Sequence, residues 1–331
     1  MSQTRPGAGT ALVTGVRGQD AGYLCEQLLR DGYAVHGLDR HAGAAVPSWL
    51  EGVTLHQVDL CDTAAVGALI GQVQPDEVYN LAAISSVAAC WADPVACAEV
   101  NGVAVAGLLE AAWQLQENLG RPVRVVQASS AEIFGATSQV PQDERTPIAP
   151  VNPYGAAKAY AHHLVDVYRQ RGLHSGAVVL YGHESVRRPA RFVTRKISST
   201  VAAIAAGRTD TLTLGPLDAR RDWGWAPEYV DAMIRAARHP EPMDFVLATG
   251  QAHSIEEFVA EAFARIGVQD WRSRVRSDAG LTRPTNVQLQ VGDPSRAAQV
   301  LGWKPTVVFP EVVHRMVDAD LAALGGPTGG N

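Results

Sequence analysis

Short apolar runs alternate along this chain with longer segments of helical spacing. The run 10–14 predicts a strand, and the segment behind it a helix reaching about residue 30. Further strands are predicted at 34–38, 53–58, 77–81, 124–128 and 176–180, with helices at 63–73, 94–117 and 154–171 between them. Strands alternating with helices imply a parallel sheet covered on both faces. The second half is less regular. Helices are predicted at 192–206, 227–238 and 254–266, and short strands at 211–214 and 244–249. Ser254 followed three positions later by Glu257 predicts a capping box.

The first strand runs into Gly15-x-x-Gly18-x-x-Ala21 and then a helix. Glycines there let the backbone approach a pyrophosphate, and the helix N-terminus offers N–H groups and a positive dipole end. Asp39, about twenty residues on, suits the ribose 2′-hydroxyl of NAD and repels the 2′-phosphate of NADP. Arg40 pulls the other way, so the pattern leaves NAD or NADP open. Asp59 and Leu60 are placed to flank the adenine, and Leu81, Ala82 and Ala83 to let the cofactor lie close. The expected fold is therefore α/β: a Rossmann-type doubly wound parallel sheet with a smaller, interleaved C-terminal substrate-binding lobe. Residues 1–180 would form the dinucleotide-binding domain, receiving parts of about 225–250. Residues 181–331 would form most of the substrate-binding lobe, with a glycine-rich tail from about 325.

Composition narrows the partners. The 331 residues, 47% hydrophobic, suffice for one large unit or two coupled lobes. A net charge of −6 argues against nucleic acid, though a local arginine cluster can still hold an anionic small ligand. No apolar run approaches the roughly 20 residues of a membrane span, and the first ten residues lack a signal-peptide pattern. Cys25, Cys61, Cys90 and Cys97 show no paired metal spacing and read as packed thiols of a reducing cytoplasm.

Tyr154-Gly155-Ala156-Ala157-Lys158 puts a phenol and an ammonium one helical turn apart. The ammonium is expected to favour the phenolate, which can take a proton from a sugar hydroxyl while a nicotinamide takes the carbon-bound hydrogen. Ser130 would share the hydrogen bond to that hydroxyl, and Glu132 adds a carboxylate that simple alcohol oxidation does not need.

With these residues in place, the chain resembles the extended short-chain dehydrogenases that act on nucleotide sugars, and among them the GDP-mannose 4,6-dehydratase family. The resemblance is carried by Val78-Tyr79-Asn80-Leu81-Ala82-Ala83, Asn152-Pro153-Tyr154-Gly155-Ala156-Ala157-Lys158, His183-Glu184-Ser185 and Arg220-Arg221-Asp222-Trp223-Gly224, and it extends over nearly the whole chain after Ala11. It implies a catalytic set of Ser130, Glu132, Tyr154 and Lys158. It implies cofactor contacts at Gly15, Gly18, Gln19, Asp20, Asp59, Leu60, Leu81, Ser85, His183 and Arg188. Substrate contacts fall on Ser85, Glu132, Arg195, Lys196, Arg220 and Arg283, the arginines suiting a diphosphate. The implied activity is a nucleotide-sugar 4,6-dehydration, a lyase reaction by internal hydride transfer through a tightly bound NAD or NADP. An epimerase, reductase or decarboxylase of the same scaffold is the alternative, and a non-catalytic nucleotide sensor a third reading. The family also implies a homodimer or homotetramer, with helices 94–117 and 154–171 pairing across a two-fold.

The chain departs from the family where basic residues and serines usually follow the second strand; here the stretch is Asp39-Arg40-His41-Ala42-Gly43. Gly182 replaces a substrate-contacting asparagine, and Ala131 a serine inside the catalytic triplet. These changes bear on cofactor choice, subunit number and sugar rather than on the hydride chemistry.

Overall fold

The computed structural model describes residues 8–40, 45–278, 280 and 287–325. Six strands open the chain: β1 (Thr10–Thr14), β2 (Ala34–Asp39), β3 (Thr54–Gln57), β4 (Glu77–Asn80), β5 (Arg124–Ser130) and β6 (Ser175–Leu180). The helices between them are α1 (Gln19–Arg30), α2 (Thr63–Val73), α3 (Val87–Ala92), α4 (Pro94–Ala98), α5 (Ala104–Leu119) and α6 (Pro153–Gln170). The remaining strands are β7 (Gly182–Glu184), β8 (Leu212–Leu214), β9 (Arg220–Trp225), β10 (Phe245–Leu247), β11 (Ala252–Ser254), β12 (Val275–Ser277) and β13 (Leu289–Gln290). The remaining helices are α7 (Val193–Ala205), α8 (Ala226–Arg238), α9 (Ile255–Arg265), α10 (Ser295–Val300) and α11 (Phe309–Ala323).

Seven strands form one parallel sheet in the order β10-β6-β5-β4-β1-β2-β3. The order reverses between β1 and β4, and ligands of open α/β sheets bind outside the carboxyl ends of the strands at such a point. One face buries Leu24, Leu28, Tyr229, Met233 and Phe245 between the sheet and α1 and α8. The other buries Val66, Ile70, Leu108, Leu109 and Val165 under α2, α5 and α6.

A second core gathers Ile197, Trp223, Phe258, Phe263, Val313 and Met316 from α7, β9, α9 and α11. Antiparallel β11 and parallel β13 and β7 all pair with β9. The chain crosses between the two cores repeatedly, since α8 and β10 return to the large sheet after β9 has served the second core.

The strands β7, β9, β11, β12 and β13 and the helices α3, α10 and α11 carry no prediction from the sequence, and two of the predicted elements differ in detail. The helix predicted at 94–117 runs from α4 to α5 through one π-helical turn, Glu99–Val103. That turn carries the buried Asn101, whose amide accepts from Ile84 N at 2.8 Å and donates to Ile84 O at 3.0 Å. Pro94–Leu119 is long and apolar enough to cross a membrane, yet Val105, Leu108, Leu109, Ala112 and Leu115 are buried against the sheet and its neighbouring helices, which makes it a core helix of this fold. At α9, Ser254 Oγ accepts from Glu257 N at 3.0 Å, but the Glu257 carboxylate turns to Arg220 and His253, so only half of the predicted capping box forms.

Candidate active site

A cleft of about 1140 Å³ lies at the carboxyl ends of β1, β4 and β5 and continues to β9 and α7. That exceeds the roughly 300–1,000 Å³ of a drug-sized pocket, leaving room for a dinucleotide and a second ligand end to end.

The loop after β1 makes the dinucleotide end. Gly15 has φ +63°, and a Cβ there would stand 2.7 Å from Ala82 Cα, so only glycine lets the loop pass this close to β4. With glycine at its N-cap position, α1 brings no capping side chain of its own, and its first turn faces the cleft. This cradle fits a pyrophosphate.

Behind the loop a buried polar relay crosses the sheet. Thr14 Oγ1 donates to Asn80 Oδ1 at 2.6 Å and accepts from Leu81 N and Ala82 N at 3.1 and 3.0 Å. Asn80 Nδ2 donates to Gln127 Oε1 at 2.7 Å, and Gln127 Nε2 donates to Ala128 O at 2.9 Å. Lys158 Nζ reaches the same Ala128 carbonyl at 2.8 Å. The relay thus ties the nucleotide loop to the lysine of the Tyr-x-x-x-Lys pair, with every buried polar group in it partnered.

At the far side of α1, His183 Nε2 lies 2.9 Å from Asp20 Oδ2 and its Nδ1 lies 2.7 Å from Tyr181 O. Both ring nitrogens therefore face acceptors, and the ring stacks on Tyr229 at 4.8 Å. Burial opposes charge on both groups, but each sustains the other: Asp20 is held below the usual carboxyl range and His183 above the usual imidazole range. Gln19 bonds Asp20, the His183 carbonyl and Ser185. Arg188 Nε stands 3.1 Å from the buried Glu184 carboxylate without a well-aligned hydrogen bond.

The reacting groups sit between these ends. Ser130 closes β5, Glu132 follows on a single 3₁₀ turn (Ala131–Ile133), and Tyr154 and Lys158 stand on the first turns of α6. Ser130 Oγ accepts from Glu132 N at 3.3 Å and hydrogen-bonds the Tyr154 hydroxyl. Burial pushes the Tyr154 phenol well up, the Ser130 bond draws it back, and the nearby Glu132 charge raises it again. The expectation that Lys158 lowers this phenol is not met here. Its Nζ is 6.0 Å from the Tyr154 ring centroid and engaged with Ala128, and burial brings Lys158 itself down to about 8.

All the residues expected to meet the cofactor line the cleft: Gly15, Gly18, Gln19, Asp20, Asp39, Arg40, Asp59, Leu60, Leu81, Ala82, Ala83, Ser85, His183 and Arg188. Lys196 lines it too. Arg195 stands elsewhere, paired with Asp320 at 2.7 Å and donating to Val186 O. Arg220 also stands elsewhere, 2.9 Å from Glu257 and bonded to Ala252 O, while its neighbour Arg221 faces the cleft. Arg283 lies outside the described residues. Arg191 and Arg221 are cleft residues that sequence reasoning did not single out, and with Arg188 and Lys196 they make this wall basic. Cys90 and Cys97 are buried against Tyr154 and Asn101, Cys25 is buried on the core-facing side of α1, and Cys61 is exposed.

This sheet order, glycine loop and Ser–Tyr–Lys set define an extended short-chain dehydrogenase/reductase scaffold. Solved structures share it. A UDP-glucose 4-epimerase from Thermotoga maritima matches with a TM-score of 0.85 at 20% identity, covering 95% of this chain and 99% of that one. A UDP-glucose 4-epimerase from Thermus thermophilus, solved with NAD, matches at 0.81 and 27% identity, covering 94% and 98%. A family model described as GDP-mannose 4,6 dehydratase matches residues 12–316. GDP-mannose 4,6 dehydratases from Cricetulus griseus and Sinorhizobium fredii are 40% and 38% identical over 343 and 344 residues, covering 95% and 96% of this chain and 92% and 97% of theirs. The chain belongs to the GDP-mannose 4,6-dehydratase family.

Proposed function

We propose that this protein is a nucleotide-sugar 4,6-dehydratase, a lyase acting on GDP-mannose. The observation that carries the reading is Glu132, a carboxylate in the same cleft as Tyr154 and tied to it through Ser130. A C4 epimerase has no step that requires it. The names of the relatives at about 40% identity support the substrate.

NAD or NADP, held along the glycine loop with Gln19, Asp20 and His183 on one side and Tyr154 and Lys158 on the other, would supply hydride chemistry at C4 and C6 of the sugar. Tyr154 would take the proton of the C4 hydroxyl as a phenolate, the form that the Ser130 hydrogen bond favours against burial and that the positive charge of an oxidised nicotinamide beside it would favour further. The C4 ketone acidifies C5–H, because the carbanion delocalises as an enolate. Glu132 takes that proton and delivers it to the C6 oxygen, which leaves as water. Once C6 has regained a hydride, the enolate is protonated at C5 by a proton drawn from solvent, giving the 4-keto-6-deoxy sugar. General acid–base help of this kind contributes roughly a hundred- to ten-thousandfold. Arg188, Arg191, Lys196 and Arg221 supply the positive wall that a nucleoside diphosphate needs.

Asp39 and its ion pair with Arg17 favour NAD over NADP in this chain. The exposed apolar side chains Val95 and Val103, before and within the π turn, and Tyr160 and Val167, on α6, support a homodimer packed through this helix pair. The three buried thiols suit a reducing cytoplasm. The test of the reading is incubation with GDP-mannose and either dinucleotide. Loss of water from the sugar supports it, and an isomer of unchanged mass refutes it.

A further inference from the structure

Asn152 stands at the N-cap of α6, just before Pro153. Its Oδ1 accepts from Gly155 N at 2.8 Å, a service that serine, threonine or aspartate performs about as well. Asparagine brings a second arm. Its Nδ2 donates to Glu132 Oε2 at 2.8 Å, and the residue is only 7% exposed. The backbone around the pair is pressed together, since a Cβ at Gly155 would fall 2.4 Å from the Glu132 carbonyl oxygen. On its other side Glu132 donates its N–H to Ser130 Oγ, which bonds Tyr154. Side chains and backbone thus close a ring: Tyr154, Ser130, Glu132, Asn152, and back to Gly155, the residue after Tyr154.

A capping hydrogen bond needs only an oxygen. Nothing about helix initiation calls for an amide nitrogen aimed at a carboxylate twenty positions upstream. That nitrogen fixes a side chain with three rotatable bonds in one direction, and misplacing a catalytic group by about 1 Å can cost roughly a hundredfold.

We propose that Asn152 is the positioning residue for the elimination step, holding the Glu132 carboxylate by Oε2 so that Oε1 meets the C5 hydrogen of the hexose whose O4 proton Tyr154 takes. The inference rests on the dehydratase reading above. In that step the C5–H bond breaks and its electron pair enters the enolate of the C4 ketone. The proton passes from Oε1 to the C6 oxygen, the C6–O bond breaks with the enolate pair forming C5=C6, and water leaves. Asn152 touches no reacting atom; it acts through Glu132.

The test separates the two arms. Asn152→Ser keeps the capping oxygen and removes the nitrogen. Asn152→Asp keeps the cap and sets a second carboxylate against Glu132. Wild type and both variants are mixed with GDP-mannose and dinucleotide, and near-ultraviolet absorbance of reduced nicotinamide is followed beside water loss by mass. Asn152→Ser should melt at the wild-type temperature, keep its KM, and lose water roughly ten- to a hundredfold more slowly. Reduced nicotinamide should build up in the variant, because C4 oxidation continues while elimination lags; Asn152→Asp should eliminate more slowly still. In a Glu132→Gln background, Asn152→Ser should add nothing. Equal slowing of both signals, wild-type rates of both, or a further loss in the Glu132→Gln background would overturn the role of Asn152. A wild-type protein that never dehydrates GDP-mannose would instead overturn the dehydratase reading and this inference with it.

Discussion

Arg17 Nε lies 2.5 Å from Asp39 Oδ2, across the rim of the dinucleotide end of the cleft. Arg17 also donates to Ala45 O at 2.7 Å, so the glycine loop, the end of β2 and the segment beyond are joined at one guanidinium. The carboxylate that favours a 2′-hydroxyl also occupies an arginine that could bind a 2′-phosphate. Asp39→Asn should therefore act twice, removing repulsion and releasing Arg17 beside Arg40. We expect the ratio of NADP to NAD affinity to rise roughly tenfold or more. Titration of intrinsic tryptophan fluorescence with each dinucleotide measures it, and an unchanged ratio would remove Asp39 from cofactor choice.

Glu132→Gln keeps the shape of the side chain and removes the base. Dehydration should fall by roughly a hundred- to ten-thousandfold while C4 oxidation persists. Tyr154→Phe should lose both, since the phenol serves the first step. Release of the 4-keto-6-deoxy product by Glu132→Gln at the wild-type rate would show that another group takes the C5 proton.

Lys158 makes a stability prediction with a definite sign. Burial lowers it from 10.5 to about 8 in the folded protein. Below pH 8 it is charged in both states and the folded state carries the full cost of a buried ammonium. Between about 8 and 10.5 the unfolded chain still binds the proton and the folded one does not, so this contribution to stability rises with pH. In cofactor-free protein Lys158→Met should raise the melting temperature at neutral pH, abolish turnover, and flatten the pH dependence across that window. Calorimetry at several pH values checks all but turnover, and a lower melting temperature at pH 7 would contradict the assignment.

The helix pair beside the cleft gives a solution test. Val103, 56% exposed, and Val167, 55% exposed, are large apolar groups on the outside of the protein. Replacing both by glutamate should leave circular dichroism intact and convert a dimer to a monomer in sedimentation. A wild-type monomer, or a double variant that still dimerises, would place any subunit contact elsewhere.

Much of this was legible in the sequence because strands buried on both faces and a glycine loop between strand and helix leave strong local signals. The seven-stranded sheet and the convergence of Ser130, Glu132, Tyr154 and Lys158 on one cleft follow from them. What escaped depends on partners distant in the chain. The family resemblance, with the fit of a guanidinium to a diphosphate, points to Arg195 and Arg220 as substrate contacts, but Asp320 and Glu257 engage them. Arg17 gave no sign of Asp39, nor Asn152 of its second arm, because neither partner shares a helix or strand with them. Asn101 did leave a trace, a lone amide in the apolar run Val100-Asn101-Gly102-Val103, where a buried polar group needs a partner and the helix widens by one π turn to supply it.

The central claim is that a phenol and a carboxylate act in turn on one hexose, with the cofactor returned to its starting state. Turnover of GDP-mannose in deuterium oxide, read by mass spectrometry of the sugar nucleotide, tests it most directly. The account predicts a product lighter by one water, carrying one solvent deuterium at C5, with no net reduction of the dinucleotide. A product of unchanged mass, or reduced dinucleotide formed in step with product, would contradict it.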